Sequence, residues 1–281
     1  MSAERVPINS AVVGVQKAAT STLHSLLVQH PAVARTAKKE LHFFDDESRD
    51  WEQPDYTAYA AERTTPEQVV ACDATPVYLF WPDALPRMRA YSAEMRLVAL
   101  FRDPVERAFS HWMMQADRTA RTPDFDDLVT RSLDAGEPHV PPDRWRSLRS
   151  RTRSAVARGF YGHQLERGLT SFPREQWLLL DFLDLVQDQA VVLRQVTDFL
   201  GVAPHEEPPS DEQRRKSAPL EGGGPSPAVL ERLARAYAED LRVFERVSGL
   251  STERWATARL LRGELGAEEW AAALRRKMRS G

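Results

Sequence analysis

Two strand-to-helix junctions constrain this chain more than any other feature of its sequence. Arg96–Arg102 (RLVALFR) is a continuous apolar run of strand length. It leads without a linker into Asp103-Pro104, an N-cap residue followed by the imino acid suited to the first helical position. The helix this predicts carries Val105, Ala108, Phe109, Trp112 and Met113 on one face. The other junction lies near the N-terminus. Ile8–Val15 reads as a buried strand bounded by Gly14, and a helix follows from about Thr20 to Gln29. Leu23, Leu26 and Leu27 give that helix its apolar stripe, and Pro31 stops it.

The rest of the chain repeats this alternation. Val69–Asp73 and Gln176–Asp181 read as strands. Helices are predicted over Pro82–Tyr91, Leu183–Leu200 (ending at Gly201) and Pro227–Val247. Strands alternating with helices imply an α/β fold with a central, mostly parallel β-sheet and helices on both faces. The 281 residues suffice for one large domain over 1–281. Residues 118–158 and 203–225 are polar and proline-bearing, and are expected to form acceptor-site or lid loops. The run Gly222–Gly224 suits a segment that moves. Residues 251–281 are expected to form a helical C-terminal extension with Leu260, Leu261, Leu265, Trp270 and Leu274 on its apolar side. That stripe suits either a monomer's core or a homodimer contact.

Composition excludes several functions. A net charge of −3 leaves no global basic field of the kind nucleic-acid binders carry. No apolar stretch approaches the ~20 residues of a membrane span, and no leader-like pattern opens the chain. Cys72 is the single cysteine, so no intramolecular disulfide forms; a cytoplasmic protein is expected. No His/Cys/Asp cluster has metal-ligand spacing, so no metal is expected.

Both junctions are suited to anions. At the first, Gln16, Lys17, Ala18, Ala19, Thr20, Ser21 and Thr22 lie where a helix begins, with its unpaired amides and partial positive charge. Lys17 adds a full charge, and Thr20, Ser21 and Thr22 add hydroxyl donors. The ATPase pattern G-x-x-x-x-G-K-[ST] is not met. At the second, Arg102 can grip a phosphate with its planar fork, and Ser110 can donate a hydroxyl hydrogen bond to it. Arg107 stands one turn before Ser110. Junctions at the carboxyl ends of parallel strands are where open α/β sheets bind ligands.

These segments together resemble a known family. Lys17-Ala18-Ala19-Thr20-Ser21 resembles the 5′-phosphosulfate loop of sulfotransferases that use 3′-phosphoadenosine 5′-phosphosulfate (PAPS), with Ala19 where that loop usually carries Gly. Arg102-Asp103-Pro104-Val105-Glu106-Arg107-Ala108-Phe109-Ser110 resembles their 3′-phosphate motif, R-D-P-x-x-R-x-x-S. Lys39-Glu40-Leu41-His42-Phe43-Phe44 resembles the K-E-x-H-F-F stretch of the heparan-type branch, whose Glu is the general base. Thr75-Pro76-Val77-Tyr78 resembles that branch's T-P-x-Y segment. The resemblance implies a P-loop-like fold and sulfuryl transfer from PAPS, without metal, to a hydroxyl of a small molecule or glycan; tailoring of a secondary metabolite is expected. It assigns catalysis to Glu40, Lys17 and His42, and the acceptor to His42, Phe44, Thr75, Pro76 and Tyr78.

The chemistry needs these residue types. A base must take the hydroxyl proton, and either Glu40, if burial raises its pKa, or His42 can serve. Lys17 and the helix N-terminus face the charge that grows on the leaving phosphate. Tyr161, in the segment Arg158-Gly159-Phe160-Tyr161, is a further candidate cofactor residue. One of Arg214, Arg215 and Lys216 is expected to reach the 3′-phosphate. Arg144, Arg146, Arg149, Arg151 and Arg153 form either a solvated face or an acidic-ligand contact. Two rival functions remain at this stage: an ATP-dependent P-loop kinase and a non-catalytic nucleotide-binding protein.

Overall fold

The computed structural model describes residues 4–119, 122–136, 154–206, 209 and 224–280. Arg144, Arg146, Arg149, Arg151, Arg153, Arg214, Arg215 and Lys216 lie outside the described residues, as do Gly222 and Gly223. The chain divides into two compact units, residues 1–101 with 166–214 and residues 102–165 with 215–281.

The first unit is built on a seven-stranded sheet. Its strands are β1 (Glu4–Pro7), β2 (Ser10–Gly14), β3 (Val33–Thr36), β4 (Ala60–Arg63), β5 (Val70–Asp73), β6 (Arg96–Phe101) and β7 (Trp177–Asp181). They lie in the order β1-β4-β3-β5-β2-β6-β7. The pairs β3–β5, β5–β2, β2–β6 and β6–β7 are parallel, and β1–β4 and β4–β3 are antiparallel. The five parallel strands include the four expected from apolar runs. Buried β2 and β5 are apolar throughout except at Ser10 and Asp73, as a strand covered on both faces must be. The antiparallel edge was not expected from sequence; its strands are four residues long and half polar.

Helix α1 (Thr20–Leu27) follows β2 and buries Leu23, Leu26 and Leu27. Helix α2 (Ala84–Tyr91) precedes β6. Helices α3 (Pro104–Arg118), α4 (Phe125–Asp134) and α5 (Tyr161–Ser171) come next, and the chain passes from the second unit to the first within α5. The expected single helix 183–200 is two, α6 (Phe182–Gln187) and α7 (Gln189–Leu200). Asp188 divides them. Its carboxylate accepts from the Val191 amide and caps α7, and its backbone is extended. Gly201 closes α7 at φ 76, the left-handed conformation that glycine adopts freely.

The second unit is helical. Helix α8 (Pro227–Ser248) is its spine, and α9 (Ala256–Leu261) and α10 (Ala267–Ser280) pack on it, as do α3 and α4. The C-terminal extension is thus two helices, with Trp270 and Leu274 buried on the second. Buried Asp240 of α8 accepts from the amides of Gly162 (2.9 Å) and His163 (3.0 Å), satisfying the first turn of α5 and meeting its positive end with a carboxylate.

Gly162 crosses α8 at close range. A Cβ there would stand 2.6 Å from the Asp240 carbonyl oxygen and 2.8 Å from the Val243 Cβ. Gly162→Ala is therefore expected to cost about 2–3 kcal/mol by overpacking, read as a lower midpoint in urea with an unchanged m-value.

Candidate active site

In the first unit, the loop after β2 is shaped by close packing. A Cβ on Gly14 would lie 3.0 Å from Leu79 Cδ2, so the strand end accepts only glycine without a shift. The Val15 amide donates to the Leu100 carbonyl at 2.8 Å, fixing the loop to β6. Lys17 (φ 75) and Ala19 (φ 60) both take left-handed backbone before α1 starts. Ala19 is the N-cap and offers no side-chain cap. A left-handed residue with a Cβ costs about 1–2 kcal/mol, which explains why a glycine suits this position in the loop it resembles. Gln16, Lys17 and Ala19 are half-buried, Ala18 and Thr20 buried, Ser21 exposed and Thr22 half-buried.

Lys39 ties this loop to the segment that carries Glu40 and His42. Its ammonium donates to Ser21 Oγ at 2.9 Å and to Glu40 Oε1 at 2.9 Å. The other Glu40 oxygen lies 3.2 Å from His42 Nε2, and His42 Nδ1 lies 2.8 Å from Asp45 Oδ2. Burial pushes the Glu40 carboxyl up, but the His42 hydrogen bond and the Lys39 charge outweigh it and bring it down to about 2. Hydrogen bonds to Asp45 and then Glu40 raise His42 to about 9. At neutral pH the segment is therefore a chain of alternating charges, with Glu40 a carboxylate and His42 an imidazolium. The sequence-based condition that burial raise the Glu40 pKa is overturned, because its cationic neighbours dominate. A protonated His42 has no lone pair for a substrate proton; Glu40 has. Burial first, then Lys39, lowers His24 of α1 to about 4 and keeps it neutral.

Three successive amides hold the segment in place. Leu41 N donates to Asp73 Oδ1 (3.2 Å), His42 N to Thr75 Oγ1 (3.4 Å) and Phe43 N to Tyr78 Oη (3.0 Å). Thr75 (2.7 Å), Tyr78 (2.8 Å) and Tyr59 (3.2 Å) in turn donate their hydroxyls to Asp73. Thr75, Tyr78 and Phe44 were expected to line the acceptor site. Each is fully buried, and Pro76 is buried as well. The two hydroxyls face the backbone of the segment instead, and Phe44 packs among Tyr59, Tyr78 and Trp51. Of the acceptor residues expected, only His42 is exposed. Sequence reading missed Asp73 and Asp45. An acid closing the apolar strand VVACD was the available signal for the first, since a buried carboxylate must find donors. The spacing of Asp45 three residues after His42 was the signal for the second.

In the second unit, Arg102 is buried and forms an ion pair with Glu106 at 2.9 Å. Asp103 Oδ1 accepts from the Glu106 amide at 2.8 Å and caps α3. The Tyr161 hydroxyl donates to the Arg102 carbonyl at 2.9 Å. Tyr161 is fully buried, so it supports the Arg102 turn from beneath rather than offering a surface to a cofactor. Arg107 is also fully buried and donates to the Ala155 carbonyl. Ser110 is half-buried.

A largely parallel α/β sheet with a tight loop running from an inner strand into a helix N-terminus defines the class of α/β folds whose ligand sites lie at strand ends. The family model described as a sulfotransferase domain matches residues 7–217, and the chain belongs to that family. It is 32% identical over 191 residues to the heparan sulfate glucosamine 3-O-sulfotransferase 3A1 of Mus musculus, covering 68% of this chain and 45% of that protein. It is 28% identical over 206 residues to the bifunctional heparan sulfate N-deacetylase/N-sulfotransferase 3 of Homo sapiens, covering 69% of this chain and 22% of that protein. The chain thus spans less than half the length of these curated relatives. The crystal structure of a sulfotransferase from Alicyclobacillus acidocaldarius superposes with a TM-score of 0.69 at 24% identity, covering 89% of this chain and 99% of that one, a likeness of fold. Among the described residues no helix is long and apolar enough to cross a membrane. Among them, too, no group of three or more His, Cys, Asp or Glu residues could hold a metal ion.

Replacing Tyr78 by Phe strands the Phe43 amide and removes one donor from Asp73. The variant is expected to lose about 2–3 kcal/mol of stability, measured by urea unfolding.

Proposed function

We propose that the protein transfers a sulfuryl group from PAPS to a hydroxyl of a small-molecule or glycan acceptor, with Glu40 as the general base. The observation that carries this reading is the Ser21–Lys39–Glu40 chain of contacts, which sets a carboxylate beside a helix N-terminus suited to a phosphosulfate. The donor set fits PAPS. The first turn of α1 offers amides and hydroxyls with Lys17 nearby, and Arg102 offers a guanidinium in a buried setting. When bound, PAPS supplies an activated sulfuryl group on a phosphate oxygen.

The chain's own residues would do the rest. Glu40 takes the acceptor's proton. The His42 imidazolium, fixed by Asp45, keeps the Glu40 carboxylate oriented. Lys17 and the α1 amides hold the phosphate on which charge grows. Arg102 and Ser110 are assigned to the 3′-phosphate, with one of Arg214, Arg215 and Lys216 as a further contact. The relatives named for glucosamine sulfation support an acceptor of sugar type. Tailoring of a secondary metabolite in the cytoplasm is the biological setting we favour. Cys72, the one cysteine, is buried, and that burial pushes its thiol up to about 12, so the thiolate is disfavoured there.

Titration calorimetry of 3′-phosphoadenosine 5′-phosphate against ATP, without metal, tests the donor. Micromolar binding of the bisphosphate and weak binding of ATP are expected; preference for ATP with Mg²⁺ would replace this reading with a kinase. Glu40→Gln should keep the affinity for the bisphosphate and lose ~10²–10⁴ in kcat.

The pH profile separates the two candidate bases. With Glu40 ionised above about 2 and His42 protonated below about 9, kcat/KM should be level from about pH 5 to 8 and fall as pH rises through 9. A rate that climbs toward pH 9 would make His42 the base. Asp45→Asn, which removes the first cause of the raised His42 pKa, should move the alkaline fall to lower pH.

A further inference from the structure

Helix α1 meets a cation at the end where a helix repels one. Its first turn, Thr20-Ser21-Thr22, has the unpaired amides and partial positive charge of a helix N-terminus, and it contains no acidic residue to offset them. Ala19, the N-cap, adds no side-chain acceptor. Yet the Lys39 ammonium lies against this turn, 2.9 Å from Ser21 Oγ. Lysine is favoured at the opposite end of a helix, so the contact with Ser21 does not by itself account for the placement. Glu40, also 2.9 Å from the ammonium, is shared with His42, and His42 is shared with Asp45. The charges of Lys39, Glu40, His42 and Asp45 cancel over that run, and the positive helix end is left over. The hydrogen-bond directions point the same way. Ser21 accepts from Lys39, so its own hydroxyl proton can turn to an anion. An ammonium has three protons, and the bonds to Ser21 and Glu40 use two of them. The Lys39 side chain is 23% exposed, which puts it within reach of a soluble ligand.

We propose that Lys39 is a cation for the 5′-phosphate of the donor nucleotide, acting through its third proton beside the Ser21 hydroxyl and the first amides of α1. The proposal rests on the reading of the α1 first turn as the phosphosulfate site. A phosphate oxygen there meets an ammonium, a hydroxyl and a helix end together, the donors that bind phosphate elsewhere. Its negative charge also stands between two positive groups that otherwise repel each other. The ammonium suits this position because it is a compact charge whose three donors turn freely, so it can serve Ser21, Glu40 and an anion at once. One turn along α1, His24 is kept neutral by burial first and then by Lys39, so it adds no further charge at neutral pH. Because the same ammonium bonds Glu40, the donor and the candidate base are set in register by one side chain. The contact acts on the 5′ end of the nucleotide alone, so it favours the bisphosphate over adenosine 3′-phosphate.

The test is calorimetric titration of the full chain with 3′-phosphoadenosine 5′-phosphate and with adenosine 3′-phosphate, which lacks the 5′ group. The wild type, Lys39→Gln, Lys39→Arg and Lys17→Ala are compared. Glutamine keeps a donor for Ser21 and Glu40 and removes the charge. Lys39→Gln should weaken the bisphosphate about five- to ten-fold, the loss of one partly screened charged contact, and leave adenosine 3′-phosphate within about two-fold. Lys39→Arg, which keeps the charge, should recover most of the loss. An equal fall for both nucleotides in Lys39→Gln would mean that Lys39 only supports the local fold, and it overturns the proposal, as does no fall for either. If Lys17→Ala loses the preference for the bisphosphate in the same series, the phosphosulfate reading of the turn still stands. A wild type that binds both nucleotides equally overturns that reading and the proposal with it.

Discussion

The candidate base is held in place by a carboxylate that never meets solvent. Asp73 is fully buried at the end of β5, and burial pushes its carboxyl above the ordinary range even though four donors point at it. Those donors are the Leu41 amide and the hydroxyls of Thr75, Tyr78 and Tyr59. Because Thr75 and Tyr78 also accept from the next two amides, one side chain controls three consecutive residues of the segment 41–43. Such a network is worth most when every member is satisfied and becomes costly when one is lost. It converts the rigidity of a central strand into a fixed position for Glu40, which itself sits in a loop. His42 adopts a left-handed backbone (φ 53) within that segment. A non-glycine residue keeps that conformation only where its surroundings impose it, and the amide clamp does so.

With position fixed, charge order sets the protonation of the candidate base. Lys39, Glu40, His42 and Asp45 alternate in sign along one run of contacts of 2.8–3.2 Å. A carboxylate with a pKa near 2 is a weak base, so proton transfer to it is assisted only if the acceptor hydroxyl becomes acidic as it attacks. An arriving acceptor also displaces water from Glu40, which restores part of the burial effect that the cations now mask.

Much of this was legible in the sequence. Apolar runs that end in a cap residue marked β2, β5, β6 and β7 and their helices, because strand length and helix capping are local properties. The antiparallel edge was not legible. ERVP, VART and AAER carry no alternation long enough to separate from loop, and only pairing makes them strands. Motif residues were legible as a set, but their orientation was not. Thr75, Tyr78 and Tyr161 are the polar residues expected around a ligand, and each instead uses its hydroxyl to hold backbone. Sequence spacing says which residues share a segment, not which side of it faces the core. The Glu40 pKa escaped for the same reason, since it depends on where Lys39 and His42 point.

The buried acids show what the fold gives up for this geometry. Asp103 is raised to about 6, first by burial and then by Glu106, against two helix amides that lower it. A carboxyl whose folded pKa exceeds its unfolded value binds its proton more tightly when folded. It therefore weakens the fold at neutral pH, and the penalty fades as pH falls through the folded pKa. Asp73 acts in the same sense. Glu40 and His42 act in the opposite sense. The lowered Glu40 adds stability that is present above about 4.5 and lost as pH falls toward 2, and the raised His42 adds stability that is present below about 6.5 and lost as pH rises through 9. The solvent-facing charges of the site thus support the fold while the buried ones oppose it. An apolar residue in place of either acid would remove the penalty, but losing Asp73 would leave the segment 41–43 unanchored and losing Asp103 would leave two helix ends uncapped. Both acids stand where a turn bearing a candidate functional charge, Glu40 or Arg102, meets the core, and there proteins give up stability for placement.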